Sequence, residues 1–135
     1  ENIAVIGFTS FDDVFGGFYS VAVTEQGKPF SDRDIFLFSF QSRGRCKMPQ
    51  RFGVRKMKRA SMKFWKNNSN GFVWFGVYCL GGFFLGNESS NSFCEDLSHG
   101  FEGLQDTTLT GKTFQRAYYG PYHHCIRLVA SQLSN

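Results

Sequence analysis

The chain has 135 residues, 41% of them hydrophobic, which is enough apolar material for one packed core and too little length for two domains. Its 15 Lys and Arg against 11 Asp and Glu give a formal charge of +4; no run approaches the roughly 18 apolar residues of a membrane helix, since Gly76, Gly81 and Gly82 interrupt the most apolar stretch, 72–85, and a soluble protein is expected. Four cysteines, at 46, 79, 94 and 125, stand too far apart for a close-pair zinc site and read as reduced thiols of an intracellular protein.

Phe occurs 17 times and Leu 8 times, a bias toward pleated, half-buried surfaces rather than helices. Residues 2–8 form a first apolar run that ends in the turn-like Thr9-Ser10-Phe11-Asp12-Asp13. A second run at 15–24 carries Gly16-Gly17 and the alternating Val21 and Val23. It is closed by Glu25-Gln26-Gly27-Lys28-Pro29 and by a second polar cluster, Ser31-Asp32-Arg33-Asp34, both turn-like in composition. Residues 35–40 set Ile35, Leu37 and Ser39 against Phe36, Phe38 and Phe40, which predicts a strand buried on both faces. Phe52 and Val54 alternate with Arg51 and Arg55, and Ala60, Met62 and Phe64 with Ser61, Lys63 and Trp65. Two half-buried strands are predicted there, joined near Lys56-Met57-Lys58-Arg59.

Residues 67–71 read as a turn, 72–78 as a buried strand, 80–85 as a short strand behind Gly81-Gly82, and 86–92 as a polar loop. No period is sustained over 93–111, where 94–97 and 100–104 offer at most a helical turn. Residues 118–122 are an aromatic loop, and 126–133 a closing strand that alternates Ile126, Leu128 and Ala130. Seven or eight short strands without a long helical period predict a mostly β fold, α+β only at its margins. Two antiparallel sheets would pack as a sandwich with few short helices, in a single domain over residues 1–135.

The charge is segregated along the chain. Residues 43–66 hold Arg43, Arg45, Lys47, Arg51, Arg55, Lys56, Lys58, Arg59, Lys63 and Lys66, ten of the 15 basic residues, and no acid lies between Ile35 and Asn87. The other five basic residues against 11 acids leave −6, so an acidic domain carries one cationic strip with a local potential of several kT. The plainest expectation is a solvated face. The functional ones are docking on an acidic protein or membrane surface, or nucleic acid held by phosphate contacts with bases stacked on Phe52, Phe64 and Trp65, although the recognisable aromatic motifs of such sheets are missing. Arg55-Lys56-Met57-Lys58-Arg59 fits a nuclear-import patch, so a cytoplasmic location with a nuclear alternative is expected. Lys58-Arg59-Ala60-Ser61 fits a basophilic kinase site, where a phosphate would add about −1.5 to −2 charge.

Residue types that carry catalysis are thinly spread. His123-His124-Cys125 crowds bases beside a thiol, but adjacent strand residues point to opposite faces, so a Cys/His pair would need a backbone turn there. His99 has no ligand-spaced partner, and Asp12-Asp13 and Glu95-Asp96 read as turn or cap residues rather than an acid/base couple. Gly16-Gly17 and Gly81-Gly82 lack a phosphate-loop frame and read as bulges or close strand packing. The sequons Asn67-Asn68-Ser69 and Asn87-Glu88-Ser89 read as chance. No catalytic residue, metal ligand or cofactor is assigned; a Cys-dependent enzyme using Cys94 or Cys125 stands third, after protein and nucleic-acid binding.

Asn2-Ile3-Ala4-Val5-Ile6-Gly7-Phe8-Thr9, followed by Val14-Phe15-Gly16-Gly17-Phe18-Tyr19-Ser20, resembles the strand-turn-strand of TLDc domains. Asp34-Ile35-Phe36-Leu37-Phe38-Ser39-Phe40 resembles the family's next strand. Phe72-Val73-Trp74-Phe75-Gly76 and Leu80-Gly81-Gly82-Phe83-Phe84-Leu85 are similar to its glycine-centred strands, and residues 87–93 to its Asn/Ser-rich loop. In order and spacing the likeness runs over roughly residues 3–133 and is to divergent members such as those of amoeboid protozoa. It implies a two-sheet sandwich with flanking helices. It also implies a non-enzymatic interaction domain linked to oxidative-stress resistance, with the vacuolar proton ATPase as a partner. Two features depart from the family. The helical segment before its first strand is missing, which together with the non-Met start at Glu1 reads as a fragment or processed form, and the strip is more cationic. No catalytic residue is carried across. Arg43, Arg45, Lys47, Arg51, Arg55, Lys56, Lys58, Arg59 and Lys63 are the expected partner-binding residues.

Overall fold

Short β-rich segments build the molecule, seen in a computed structural model that describes residues 2–9, 12–22, 24–46, 48–56, 58–64, 71–77, 81–86, 93–111 and 127–129. The strands are β1 (Ile3–Phe8), β2 (Val14–Tyr19), β3 (Phe30–Asp32), β4 (Phe36–Gln41), β5 (Gln50–Gly53), β6 (Ala60–Phe64), β7 (Gly71–Val77), β8 (Gly81–Gly86), β9 (Phe93–Glu95) and β10 (Arg127–Val129). One helical turn, α1 (Leu97–Gly100), follows β9. The first sheet runs β10-β1-β2-β4-β5 and the second β3-β6-β7-β8-β9, and every pairing is antiparallel.

Register decides which side chains meet. Gly17 lies opposite both Val5 and Leu37, Phe15 opposite Ser39, and Leu37 opposite Phe52, so these positions share one face of the first sheet. Val5, Phe15, Tyr19, Leu37 and Phe52 from that face are buried with Ala60, Met62, Phe83 and Cys94 of the second sheet. The two layers touch where Phe15 meets Phe83 edge-on, with ring centroids 5.3 Å apart at 87°. Leu97, Phe101, Leu104 and Leu109 from the segment after β9 join the same core. The fold is therefore the expected mostly β sandwich of two antiparallel sheets with one short helix, the arrangement that lets two half-apolar sheets cover each other.

Four local expectations are corrected. Ser31-Asp32 belongs to strand β3 rather than a turn, because Asp32 is buried and its carboxylate accepts the Ser20 hydroxyl at 2.8 Å and the Asp34 N–H at 2.9 Å. Strand β4 is fully inside on one face only. Leu37 and Ser39 are buried there, whereas on the other face Phe38 is buried, Phe36 half-buried and Phe40 52% exposed. The aperiodic 93–111 segment opens with a strand, β9, which pairs with β8 from Gly82 to Phe84. Strand β2 also ends at Tyr19, five residues before the end of the predicted run, and leaves Val21 exposed.

The close-packing expectation for Gly16-Gly17 holds at Gly16. A Cβ on that residue would run into the Val5 carbonyl oxygen and the Phe38 ring, and the β2–β4 register shifts nearby, between Val14 and Phe15. Among the described residues no helix is long and apolar enough to cross a membrane. The predicted loops at 87–92 and 118–122, most of the 67–71 turn and all of the closing strand beyond 127–129 lie outside the described residues.

Candidate functional site

The cationic strip is divided between the two sheets. Strand β5 belongs to the first sheet and β6 to the second, so the chain crosses from one layer to the other between Val54 and Arg59. The departure is fixed by backbone bonds to the segment after α1. Glu102 N–H donates to Gly53 O at 2.8 Å, Val54 bridges Phe101, and Arg55 N–H donates to Gly100 O at 2.9 Å. With Phe52 turned into the core, Arg51 falls on the outer face of the first sheet. With Ala60 and Met62 turned inward, alternation places half-buried Lys63 on the outer side of the second. In a sandwich those faces point in opposite directions.

Several of the strip's cations hold the fold together. Arg43 and Gly44, at φ 52° and 87°, form a left-handed two-residue turn that Arg45 N–H closes on Ser42 O at 3.1 Å. That turn aims Arg45 at Asp13, with which it forms an ion pair, while its Nε donates to Thr108 O at 3.0 Å and its Nη2 to Leu109 O at 3.2 Å. Asp13 is 1% exposed and also accepts the Thr9 hydroxyl at 2.8 Å. Arg55 donates through Nε to Ser98 O near the end of α1 and lies 3.3 Å from Glu102, an exposed pair that contributes little by itself. Arg51 lies over Phe36, its guanidinium carbon 4.5 Å from the ring centroid.

Lys56, Lys58 and Arg59 remain. All three are exposed on the inter-sheet crossover, which Lys58 N–H tightens by donating to Arg55 O at 3.0 Å. Among the described residues no carboxylate lies within ion-pair distance of them. Lys47 and Lys66 lie outside the described residues.

The other candidates are placed as follows. Phe52, expected to stack on bases, is 2% exposed in the core, and Ser61, the expected phosphorylation site, is buried within β6. His99 is exposed on α1, and no group of three His, Cys, Asp or Glu among the described residues has metal-binding geometry. Cys46 and Cys94 are free thiols. His123-His124-Cys125, Cys79, Trp65 and both sequons lie outside the described residues. Sequence reasoning missed the outer aromatic face of the first sheet. The signal was present in the alternation of Phe36, Phe38 and Phe40, which fits one inward face and one outward face equally well.

Burial pushes the Cys94 thiol up to about 12, with Asp13 adding to the rise while a Thr110 hydrogen bond and Arg45 oppose it. At neutral pH that group is a neutral core side chain, not a nucleophile. Burial, and then the Asp32 carboxylate, raise the Tyr19 phenol to about 12 as well. Both folded values lie above the ordinary 9.0 and 10.0 of the unfolded chain. The stability tied to the two protonated groups is therefore complete below about pH 9 and is lost as pH rises from 9 to 12. Urea midpoints measured across that window are expected to fall steadily, and Cys94→Ala to shallow the slope. A slope unchanged by Cys94→Ala would remove the thiol from the cause.

No protein-family model matches the chain, and no curated protein or solved structure does. Fold and surface together define an antiparallel β-sandwich in which three exposed cations without an acidic partner among the described residues, Lys56, Lys58 and Arg59, sit together on the loop between the two sheets.

Proposed function

We propose that the chain is a non-enzymatic protein-interaction domain of TLDc type that docks on an acidic partner through the inter-sheet crossover. The observation that carries this reading is the exposure of Lys56, Lys58 and Arg59 on one short loop, free of acidic partners among the described residues. Loops held by a rigid scaffold are where recognition residues concentrate, and three like charges on one loop favour an anionic counter-surface. Arg45 is engaged with Asp13 and the 108–109 carbonyls and Arg55 with Ser98 and Glu102, which favours the three loop cations as the recognition residues. The sequence resemblance adds the vacuolar proton ATPase as the partner to test first and oxidative-stress resistance as the setting.

A triple variant, Lys56→Glu, Lys58→Glu and Arg59→Glu, tests the reading. Retention of the proton ATPase, or of another captured partner, is expected to fall roughly tenfold with the melting curve unchanged, the sum of three exposed pairs. An unchanged bound set overturns the proposal. Nucleic acid is the second reading, through the same cations. It predicts oligonucleotide binding that weakens log-linearly with salt, and its expected stacking residue Phe52 is enclosed in the core.

A further inference from the structure

The outer face of the first sheet presents a second surface, one the docking proposal does not use. Ala4 and Ile6 of β1 are small beside the rings that follow them on β2 and β4, and the difference in height leaves a groove of about 430 Å³. Its walls are a continuous aromatic ladder. Phe18 stacks on Phe36 at 5.0 Å and 21°, Phe36 meets Phe38 at 6.4 Å, and Phe38 meets Phe40 at 4.7 Å. The β5 end is different. Gln50 and Arg51 supply the polar side chains of the lining, and Arg51 sits over the Phe36 ring, its guanidinium carbon 4.5 Å from the centroid. Among the described residues no carboxylate pairs with Arg51, and no acid lines the groove.

We infer that this groove binds a single-chain apolar carboxylate, a fatty-acid-like amphiphile, with its hydrocarbon across the Phe ladder and its carboxylate on Arg51. Charge complementarity selects the head group, since one cation at one end of an otherwise apolar channel fits one anion at one end of an apolar chain. Desolvation selects the tail. A peptide laid here would bring backbone N–H and C=O groups over rings that cannot satisfy them, whereas a hydrocarbon brings none. The volume falls within the range of small-ligand sites.

Calorimetric titration of the full chain with octanoate, decanoate and dodecanoate, each below its micelle concentration, tests this. Saturable one-to-one binding is expected, tightening about fourfold for each two methylenes, half the full transfer value because one side of the chain stays open to water. R51Q is expected to weaken decanoate roughly tenfold while changing decanol less than twofold, and F40S to weaken both. Both are substitutions of exposed side chains, and thermal melts verify that the fold is retained. The Lys56, Lys58 and Arg59 triple variant is expected to bind decanoate normally, so failure here and failure of the docking proposal are told apart. Absence of saturable decanoate binding, an equal R51Q effect on decanoate and decanol, or binding of an acidic Phe-containing peptide in place of decanoate overturns the inference.

Discussion

Gly76→Ala is expected to destabilise the domain by about 3 kcal/mol and lower its melting temperature by about 10 °C, while Gly53→Ala leaves both nearly unchanged. Gly76 is buried in β7 directly opposite Gly82 of β8, with Gly81 one rung away opposite Val77. A Cβ on Gly76 would strike the Gly81 carbonyl oxygen and come within 2.6 Å of the Gly82 Cα. Both are backbone atoms of a paired strand, so neither can swing aside as a side chain would, and relief requires the β7–β8 ladder itself to open. Three glycines on adjoining rungs are costly in a strand, because each loses more conformational freedom on folding than any other residue; close backbone approach is what they permit. Gly53 provides the internal control. It is exposed on edge strand β5, and a Cβ there would meet nothing within 4 Å. An alanine at an open site gains a few tenths of a kcal/mol by restricting the unfolded chain, so the two substitutions should differ in sign as well as size. Urea unfolding followed by far-UV circular dichroism separates them. Equal midpoints for Gly76→Ala and the parent would show that the two strands do not approach this closely.

Strands β4 and β6 were legible in the sequence because their side-chain types alternate with a two-residue period, and β1 and β7 because each is a short apolar run bounded by turn residues. Strand β3 was not legible. Its Asp32 looks like a turn residue until the Ser20 hydroxyl, twelve positions earlier, is seen to satisfy it, and such a partner carries no local signature. The segment after β9 misleads in the opposite sense, since Leu97, Phe101 and Leu104 have helical spacing although only 97–100 is helical. Phe101 is instead drawn out at φ −130° to bridge Val54, and Gly103 turns the chain at φ 75°. The same bridge explains why the strip could not be resolved from sequence. Ten cations within two dozen residues suggest one face, but contacts more than forty positions away force the chain to leave one sheet and enter the other in the middle of the run. Proximity along the chain set the net charge of the region; long-range backbone bonding set which of those charges remain available.

Asp13→Ala should cost about 2–3 kcal/mol and loosen a segment almost a hundred residues away. Its carboxylate joins the Thr9 hydroxyl to the Arg45 guanidinium, and Arg45 in turn is bonded to the carbonyls of Thr108 and Leu109. Truncation strands the Arg45 cation on a side chain that is only 25% exposed, which is the expensive way to break such a pair. Because a quarter of that side chain still reaches water, the expected loss lies below the 3–5 kcal/mol typical of a fully buried pair. Asp13→Asn keeps an acceptor for Thr9 and should recover part of it. The distinguishing readout is local. Amide exchange at Gly111, whose N–H donates to Thr107 O at 2.7 Å, should accelerate in Asp13→Ala more than exchange in β7, since Arg45 is the tie between the 42–46 turn and the 107–111 turn. A double-mutant cycle with Arg45→Ala then decides what the first half of the strip is for. Coupling of 1 kcal/mol or more, with partner binding unchanged once stability is matched, makes Arg45 an internal brace and leaves recognition to Lys56, Lys58 and Arg59. Negligible coupling with weakened binding would return Arg45 to the docking surface, and the crossover loop would then be one part of a larger interface that reaches around the edge of the first sheet.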